Sequence, residues 1–515
     1  MTKWRTWVPV VVALAAMGLV VRNGLVYDAA EILLKDARYQ VPVDWGALVT
    51  RTYWPSGLWR PITSVLLGVE ATLGGGAVFH ATSLALYALV CVLIVRLVLA
   101  LTENPTIAVI VGTLFAAHPV HVEVVASVVG QAEMLTALGL IGGALVWHRA
   151  TVHGVTGGTI PLLLGAQVLA ALSKEQGFVL PALLLGQHLL LPRRLARRDA
   201  MRLATPLVLL TVMLLLIRTI VTGSVGGETP LPILASLGVV GRVVTSLGVL
   251  PDFVRLLVAP WHLQGEYGPP ELGVGLPIGL ANVLGFLVVV AALVAIVRWW
   301  KPVPVAALGL WWIGVTWVPS SSLVFPAGVM LAERLLFLPS IGLMLVFAGV
   351  GAVLKPGSQR IIGALAVAVT LLFTVRSAVR VPVWHDSERF FRTLTADAPA
   401  VYRTWYVRGI DARFRGDSLA AEAYLGRSIT LWPQSAMVHE ALGQLLRRQG
   451  RCAEAVPVMA SGLAVEPTRT QLRAKLGECL LQVGDSARAA AVARDGIAIG
   501  QESFEGLLRR AEPRP

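Results

Sequence analysis

Between residues 6 and 380 the chain returns eleven times to an apolar run, near 6–22, 80–101, 106–123, 131–148, 159–173, 176–192, 204–222, 275–297, 303–319, 335–354 and 361–380. A helix needs about 20 apolar residues to cross a bilayer, and in lipid every backbone polar group must find its partner inside the membrane-embedded structure. A chain patterned in this way is restricted to a bundle of membrane helices. Composition agrees: 14% of the 515 residues are charged, against about 25% in soluble domains. The deficit lies in residues 1–380, whereas 381–515 carry ordinary charge. The expected fold is all-α, with a polytopic membrane domain over 1–380, a connector over 381–399 and a soluble helical region over 400–515.

The basic residues set an expected orientation. The cluster "PRRLARRDAMR" supplies Arg193, Arg194, Arg197, Arg198 and Arg202, and its loop is expected in the cytoplasm. With eleven spans, Lys3, Arg5, Arg149, Arg298, Lys301, Lys355 and Arg360 fall on the same side. Loops 23–79, 223–274 and 320–334 and the C-terminus then lie outside, and "MTKWR" begins an uncleaved anchor. The formal charge of +13 reads as topogenic rather than as a nucleic-acid footprint, because no aromatic-basic stripe accompanies it. The long outer loops mix Trp, Tyr and Leu with polar residues, as segments lying along a membrane interface do.

The C-terminal region repeats every 34 residues. Gly409, Gly443 and Gly477 share one register, Gly416, Gly450 and Gly484 a second, and Ala421, Ala455 and Ala489 a third, with Pro433 and Pro467 in step. This is the tetratricopeptide pattern, three helix-turn-helix units that stack into a solenoid. Such arrays offer a concave surface to an extended peptide or serve as an assembly module. Cys452 and Cys479 fall in neighbouring units, and their proximity is expected to be incidental; Cys91 lies in an apolar run.

The polar residues of 1–380 gather at the outer ends of the expected spans rather than at mid-depth, which favours chemistry at the outer interface over transport. Asp28 follows the first span. It reads as a helix cap or, at a dry interface, as a general base, with Glu31 and Asp36 as nearby alternatives. "LFAAHPVHVEVVASVVGQAEM" brings His118, His121, Glu123 and Glu133 together. The HExxH spacing is missing, so no metal site is expected, and imidazole donors suit a phosphate or sugar instead. His118-Pro119 is expected to end or kink the third span. Arg60, the Lys174-Glu175 pair and the Glu333-Arg334 pair map to the same outer face, where Arg forks and a Lys point charge match phosphate oxygens.

These stretches are recognisable together. "YDAAEI", "WRPIT", Phe79-His80, "LFAAHPVHVEVVASVVGQAEML", "LSKEQG", "VRLLVAPWHLQGEY", "FPAGVMLAERLLFLPSIG" and "VWHDSERFF" run in order along the chain. With the repeats, they resemble the transmembrane and tetratricopeptide-repeat O-mannosyltransferases that act on cadherins, and their bacterial relatives. The resemblance implies a glycosyltransferase of GT-C type that takes a sugar, mannose by default, from a polyprenyl-phosphate carrier to a hydroxyl acceptor on the non-cytoplasmic side. It implies Asp28 as the catalytic carboxylate. It also implies Arg60, His80, His118, His121, Glu123, Glu133, Lys174, Glu175, Glu333 and Arg334 around the donor phosphate and sugar. The sequence departs from the family at Ala29, where a second acid is usual, at Ser83 for Asn, at Gln131 for Arg and at Glu266 for Asp. The expected location is a bacterial inner membrane with the repeats outside, and the expected partners are the bilayer, the lipid-linked sugar and a peptide at the repeats. The competing readings are a non-catalytic scaffold for envelope assembly and, more remotely, a flippase.

Overall fold

The computed structural model describes residues 7–53, 57–224 and 231–512. Lys3 and Arg5, used above for orientation, lie outside the described residues. Every element is helical, and no strand occurs among the described residues. The chain divides into two compact units, one of residues 1–265 and 274–393, the other of residues 266–273 and 394–515.

In the first unit a helix stands at each of the eleven expected spans, but the helices differ in reach. Ala77–Thr102, Val128–His153, Arg197–Thr222, Leu280–Trp299, Glu333–Val353 and Gly357–Trp384 are six helices long and apolar enough to cross a membrane. A seventh crossing is possible if Pro105–Ala117 and Pro119–Ala126, bent by 52° at their junction, count as one. The bend falls where Pro119 bars helical geometry at the preceding residue, and His118 is accordingly extended at φ −63°, ψ 121°. The other expected spans are shorter. Thr159–Ser173 has 15 residues and Pro304–Trp317 has 14. At 1.5 Å per residue they rise only about 22 Å, short of a ~30 Å core. Among the described residues, length and composition alone therefore support six or seven crossings, against eleven apolar runs in the sequence. The expected outer loop 223–274 contains a 20-residue helix, Val239–Val258, with Arg242, Asp252 and Arg255 on it. Gly285 lets helix Leu280–Trp299 approach this helix, since a Cβ there would meet the Leu247 carbonyl.

The second unit explains the periodic glycines. Helices Tyr402–Phe414 and Ser418–Leu431, Ala436–Arg448 and Cys452–Val465, and Thr470–Gln482 and Ser486–Ala498 form three antiparallel pairs. Gly416, Gly450 and Gly484 each turn the chain between paired helices at φ 77° to 82°, a conformation open to glycine without strain. Gly409 and Gly443 sit where a Cβ would strike Leu425 and Met459 of the second helix in the pair. Ala421, Ala455 and Ala489 are fully buried at the same contacts. The segment Glu266–Gly273 also belongs to this unit: Glu266 pairs with Arg403 at 3.0 Å, and Pro269 accepts from the Tyr402 amide.

Cys452 and Cys479 form a disulfide, with Cα atoms 5.0 Å apart, which corrects the expectation of an incidental pair. Spacing along the chain could not reveal it, because stacking of the second helix pair on the third brings the two positions together. Closing a loop of 27 residues is worth about 3.5 kcal/mol in the chain-entropy account. Reduction of the full-length protein, or Cys452→Ser, is expected to lower the melting transition of the repeats while leaving that of the membrane unit in place; calorimetry with and without reductant checks this. A second expectation concerns Glu440. Burial raises its pKa, but hydrogen bonds and charge from Lys475 and Arg469 outweigh burial and hold it below the usual carboxylate range. A depressed carboxylate stabilises the fold above its unfolded value, about 4.3, and loses that contribution as pH falls through the lower folded value. The difference in melting midpoint between wild type and Glu440→Gln is thus expected to shrink below about pH 4.

Candidate functional site

Six separated segments of the first unit deliver charge to one place. A turn at Val26–Ala29 carries Asp28 as the first residue of helix Asp28–Leu33. The loop before helix Pro61–Thr72 carries Arg60, and the bent junction carries Glu123 on helix Val122–Ala126. Glu133 lies in the first turn of helix Gln131–His153, and Lys174 ends helix Thr159–Ser173 ahead of Glu175. Arg334 stands in the short 3-10 turn Glu333–Leu336.

The contacts form three groups of ion pairs. Arg334 Nη1 donates to Glu123 Oε1 at 2.5 Å, and its backbone N–H donates to Glu123 Oε2 at 2.8 Å. Arg334 Nη2 lies 3.9 Å from Asp28 Oδ2. Lys174 Nζ donates to Glu133 at 2.5 Å. Arg60 forks onto Glu175, with Nη2 to Oε2 at 2.8 Å and Nε to Oε2 at 3.1 Å, and Arg218 approaches the same glutamate at 3.9 Å. Thr63 fastens helix Pro61–Thr72 to the end of helix Thr159–Ser173 by donating to Ser173 O at 2.9 Å. Four acids thereby face four bases. Desolvating this many charges requires such pairing, since an unpartnered charge away from water costs several kcal/mol. Burial raises the Glu175 pKa, but the Arg60 charge and hydrogen bonds outweigh it and leave the carboxyl below its usual range.

Exposure separates the members. The Glu133 and Lys174 side chains are 3% and 7% exposed and Glu123 is 6%, so they form the floor. Asp28 is 28% exposed and Arg334 24%, so an acid and a base about 4 Å apart stand open to a ligand. The two alternative acids are engaged elsewhere: Glu31 with Lys35, and Asp36 with Arg38. Ala29 packs into an apolar cluster with Tyr39, Leu67 and Phe79 rather than among the charges. Glu333 is buried beside Arg334 on the same turn.

The histidines do not join this array. His121 Nδ1 lies 2.9 Å from the Tyr87 hydroxyl, and its Nε2 is 2.9 Å from Ser340 Oγ. His118 Nε2 meets the Leu257 carbonyl at 3.0 Å, and its Nδ1 accepts from the Val120 amide. Both rings are buried and committed on both nitrogens, so they fasten the bent junction to its neighbours and have no donor left for a phosphate. His80 is buried on helix Ala77–Thr102, and among the described residues no ion pair joins it to the charges.

Three groups escaped the sequence reading. Arg218 completes the Glu175 pair from helix Arg197–Thr222. The Tyr53 ring lies 5.5 Å beneath the Arg60 guanidinium. Glu70 is buried, and Gln131 donates to it at 2.9 Å; desolvation, partly offset by hydrogen bonds from Thr82 and Gln131, pushes its pKa up to about 7. A lone acid inside the apolar "SVLLGVEATLG" was the signal available for Glu70.

The tetratricopeptide repeat family model matches residues 406–464 and 441–504. Protein O-mannosyl-transferase TMTC4 of Homo sapiens is 24% identical over 81% of this chain and 65% of its own length. Protein O-mannosyl-transferase TMTC1 of Homo sapiens is 25% identical over 80% of this chain and 53% of its own. Tmtc2 of Drosophila melanogaster reaches 30%, over 22% of this chain and 13% of its own. The chain is a homologue of the TMTC proteins. It spans somewhat less than two thirds of the human TMTC4 and about half of the human TMTC1. Among solved structures, the APC/C hetero-tetramer Cut9-Hcn1 aligns over 87% of this chain and 86% of that chain at 12% identity, with a TM-score of 0.26, too low to establish a shared fold.

The floor pair yields a direct expectation. Lys174→Met or Glu133→Leu alone strands a buried charge and is expected to destabilise the protein by about 3–5 kcal/mol, whereas the double substitution costs less than either. Thermal unfolding of the three variants in detergent checks the non-additivity.

Proposed function

We propose that this chain is a membrane glycosyltransferase that moves a sugar, mannose in the first instance, from a polyprenyl-phosphate carrier to a hydroxyl acceptor, most naturally on a protein. The observation that carries the reading is the open Asp28–Arg334 pair above a buried ionic floor, in a homologue of proteins named O-mannosyl-transferases.

In this reading Asp28 accepts the proton of the acceptor hydroxyl as its oxygen attacks the anomeric carbon. The bond from that carbon to the phosphate oxygen breaks, and the electron pair leaves with the polyprenyl phosphate. One displacement inverts the anomeric centre. Arg334 and Arg60 offer N–H groups to the leaving phosphate, sharing them with Glu123 and Glu175, and such preorganised donors act most strongly where charge develops. The carrier's isoprenoid has a candidate berth. A cavity of about 560 Å³ lies among helices Pro105–Ala117, Phe337–Val353 and Pro356–Arg380, lined by Ile110, Leu114, Met344, Phe347, Ala366 and Phe373. Each methylene withdrawn from water there is worth about 0.8 kcal/mol. No resident metal or cofactor is assigned a step.

The reaction is assigned to the extracytoplasmic face of a bacterial inner membrane, with the repeats on that side receiving a peptide. The Cys452–Cys479 disulfide supports this, because such bonds persist in oxidising compartments.

Purified membranes supplied with polyprenyl-phosphate mannose and peptide acceptors test the reading. Asp28→Asn is expected to lower transfer by about 10²–10⁴-fold, the range of general-base catalysis, with protein level unchanged. Equal transfer by both forms removes Asp28 from the mechanism. No transfer by wild type across varied donors and acceptors favours the scaffold, a reading to which the buried Ala29, in place of a second acid, lends weight.

A further inference from the structure

The residue before Asp28 has a conformation that its side chain disfavours. Tyr27 sits at φ 57°, ψ −124°, and the Ala29 amide donates to the Val26 carbonyl at 3.2 Å. These are the marks of a type II′ turn over Val26–Ala29 with Tyr27 at its first central position. Glycine dominates that position because a Cβ clashes with the backbone there. A tyrosine at a glycine position stores strain, which persists only where the surroundings over-determine it.

The surroundings do so from the far end of the unit's sequence. The Tyr27 ring stacks on Phe390, with centroids 5.3 Å apart and planes at 26°, and meets Phe391 edge-on at 6.4 Å. Phe390 is held in turn by Trp384 at 4.7 Å. The incoming chain is pinned to the same segment: the Gly24 amide donates to His385 O at 2.9 Å, and Asn23 Nδ2 donates to Val381 O at 3.2 Å. A Cβ on Gly24 would stand 3.0 Å from that carbonyl, so the two backbones are close packed. The consequence falls on the next residue. Asp28 is the second central residue of the turn; it opens its helix and stands with its carboxylate 3.9 Å from Arg334.

We infer that Tyr27 is a positioning residue for the reaction, its ring gripped by Phe390 and Phe391 so that the strained turn aims Asp28 at Arg334. The inference rests on the proposed role of Asp28, and it explains why an aromatic occupies a glycine position: the ring is needed to fix the turn, whereas glycine would let it relax.

Two readouts separate positioning from a general loss of fold. Tyr27→Ala keeps the strained backbone and loses the ring, while Tyr27→Gly loses both ring and strain. Tyr27→Gly is expected to melt above Tyr27→Ala, yet both lower kcat by at least about tenfold with KM for the lipid-linked sugar within about twofold, the signature of a misaimed group. Phe390→Ala, which leaves the turn's own sequence intact, gives the same kcat loss, and Tyr27→Phe restores transfer. Transfer by Tyr27→Gly close to wild type overturns the inference, as does a melting midpoint for Tyr27→Gly no higher than for Tyr27→Ala. Should wild type transfer no sugar, the Asp28 reading fails, and the aim of the turn is read without activity. Asp28→Cys/Arg334→Cys is treated with a short bifunctional thiol reagent, with and without Tyr27→Gly. A severalfold drop in crosslinking with Tyr27→Gly supports the aiming role, and an unchanged yield overturns it.

Discussion

Pairing of opposite charges away from water is the constraint on which the membrane unit's polar centre depends. Glu123, Glu133, Lys174 and Arg60 sit where apolar helices end, and each is costly there alone. Each finds its partner from a segment distant in sequence: Glu123 with Arg334, Glu133 with Lys174, Arg60 with Glu175. The pairs therefore specify how the helix ends meet more than they add stability, since a well-packed apolar replacement of a buried pair is often neutral. The bent junction at His118-Pro119 serves the same end by bringing Glu123 to the Arg334 turn, and the two histidines hold it by bonds on both ring nitrogens.

The balance of the network shapes the proposed chemistry. Four acids meet four bases in these pairs, so a phosphate bound here would share Arg334 with Glu123 and Arg60 with Glu175. The open positions matter more than the number of charges. Asp28 and Arg334 are the most exposed pair of the network, with Arg60 and Glu175 next and Glu133, Lys174 and Glu123 buried, which gives an acceptor hydroxyl and a leaving oxygen access to opposite charges about 4 Å apart. The acid itself is held in place by a turn whose strain is offset by aromatic packing from residues 384–391.

Much of this was legible in the residues. The apolar runs announced the helices, and the 34-residue period announced the repeats, because each glycine triad answers one local need: a left-handed turn or a close helix contact. Asp28, Arg334, Glu123, Glu133, Lys174, Arg60 and Glu175 stood out as charges in an apolar chain, and they do come together. The histidines stood out equally and are framework. An imidazole at a helix end looks the same in sequence whether it faces a ligand or a carbonyl. Arg218 and Tyr53 were missed because an arginine near a span end and a tyrosine in an aromatic loop are ordinary there. The disulfide was missed because contact between repeats, not spacing along the chain, aligns its cysteines.

The sequence by itself determined what is local and periodic: an all-helical chain, a membrane-embedded first part, three tetratricopeptide units and a set of charges too costly to leave alone in lipid. Tertiary structure decided which charge meets which, which acid stays open, which runs are long enough to span, and that a tyrosine would hold a glycine's turn. The reason is that periodicity and composition act within a few turns of helix, whereas ion pairing and aromatic grip depend on distances between segments hundreds of residues apart.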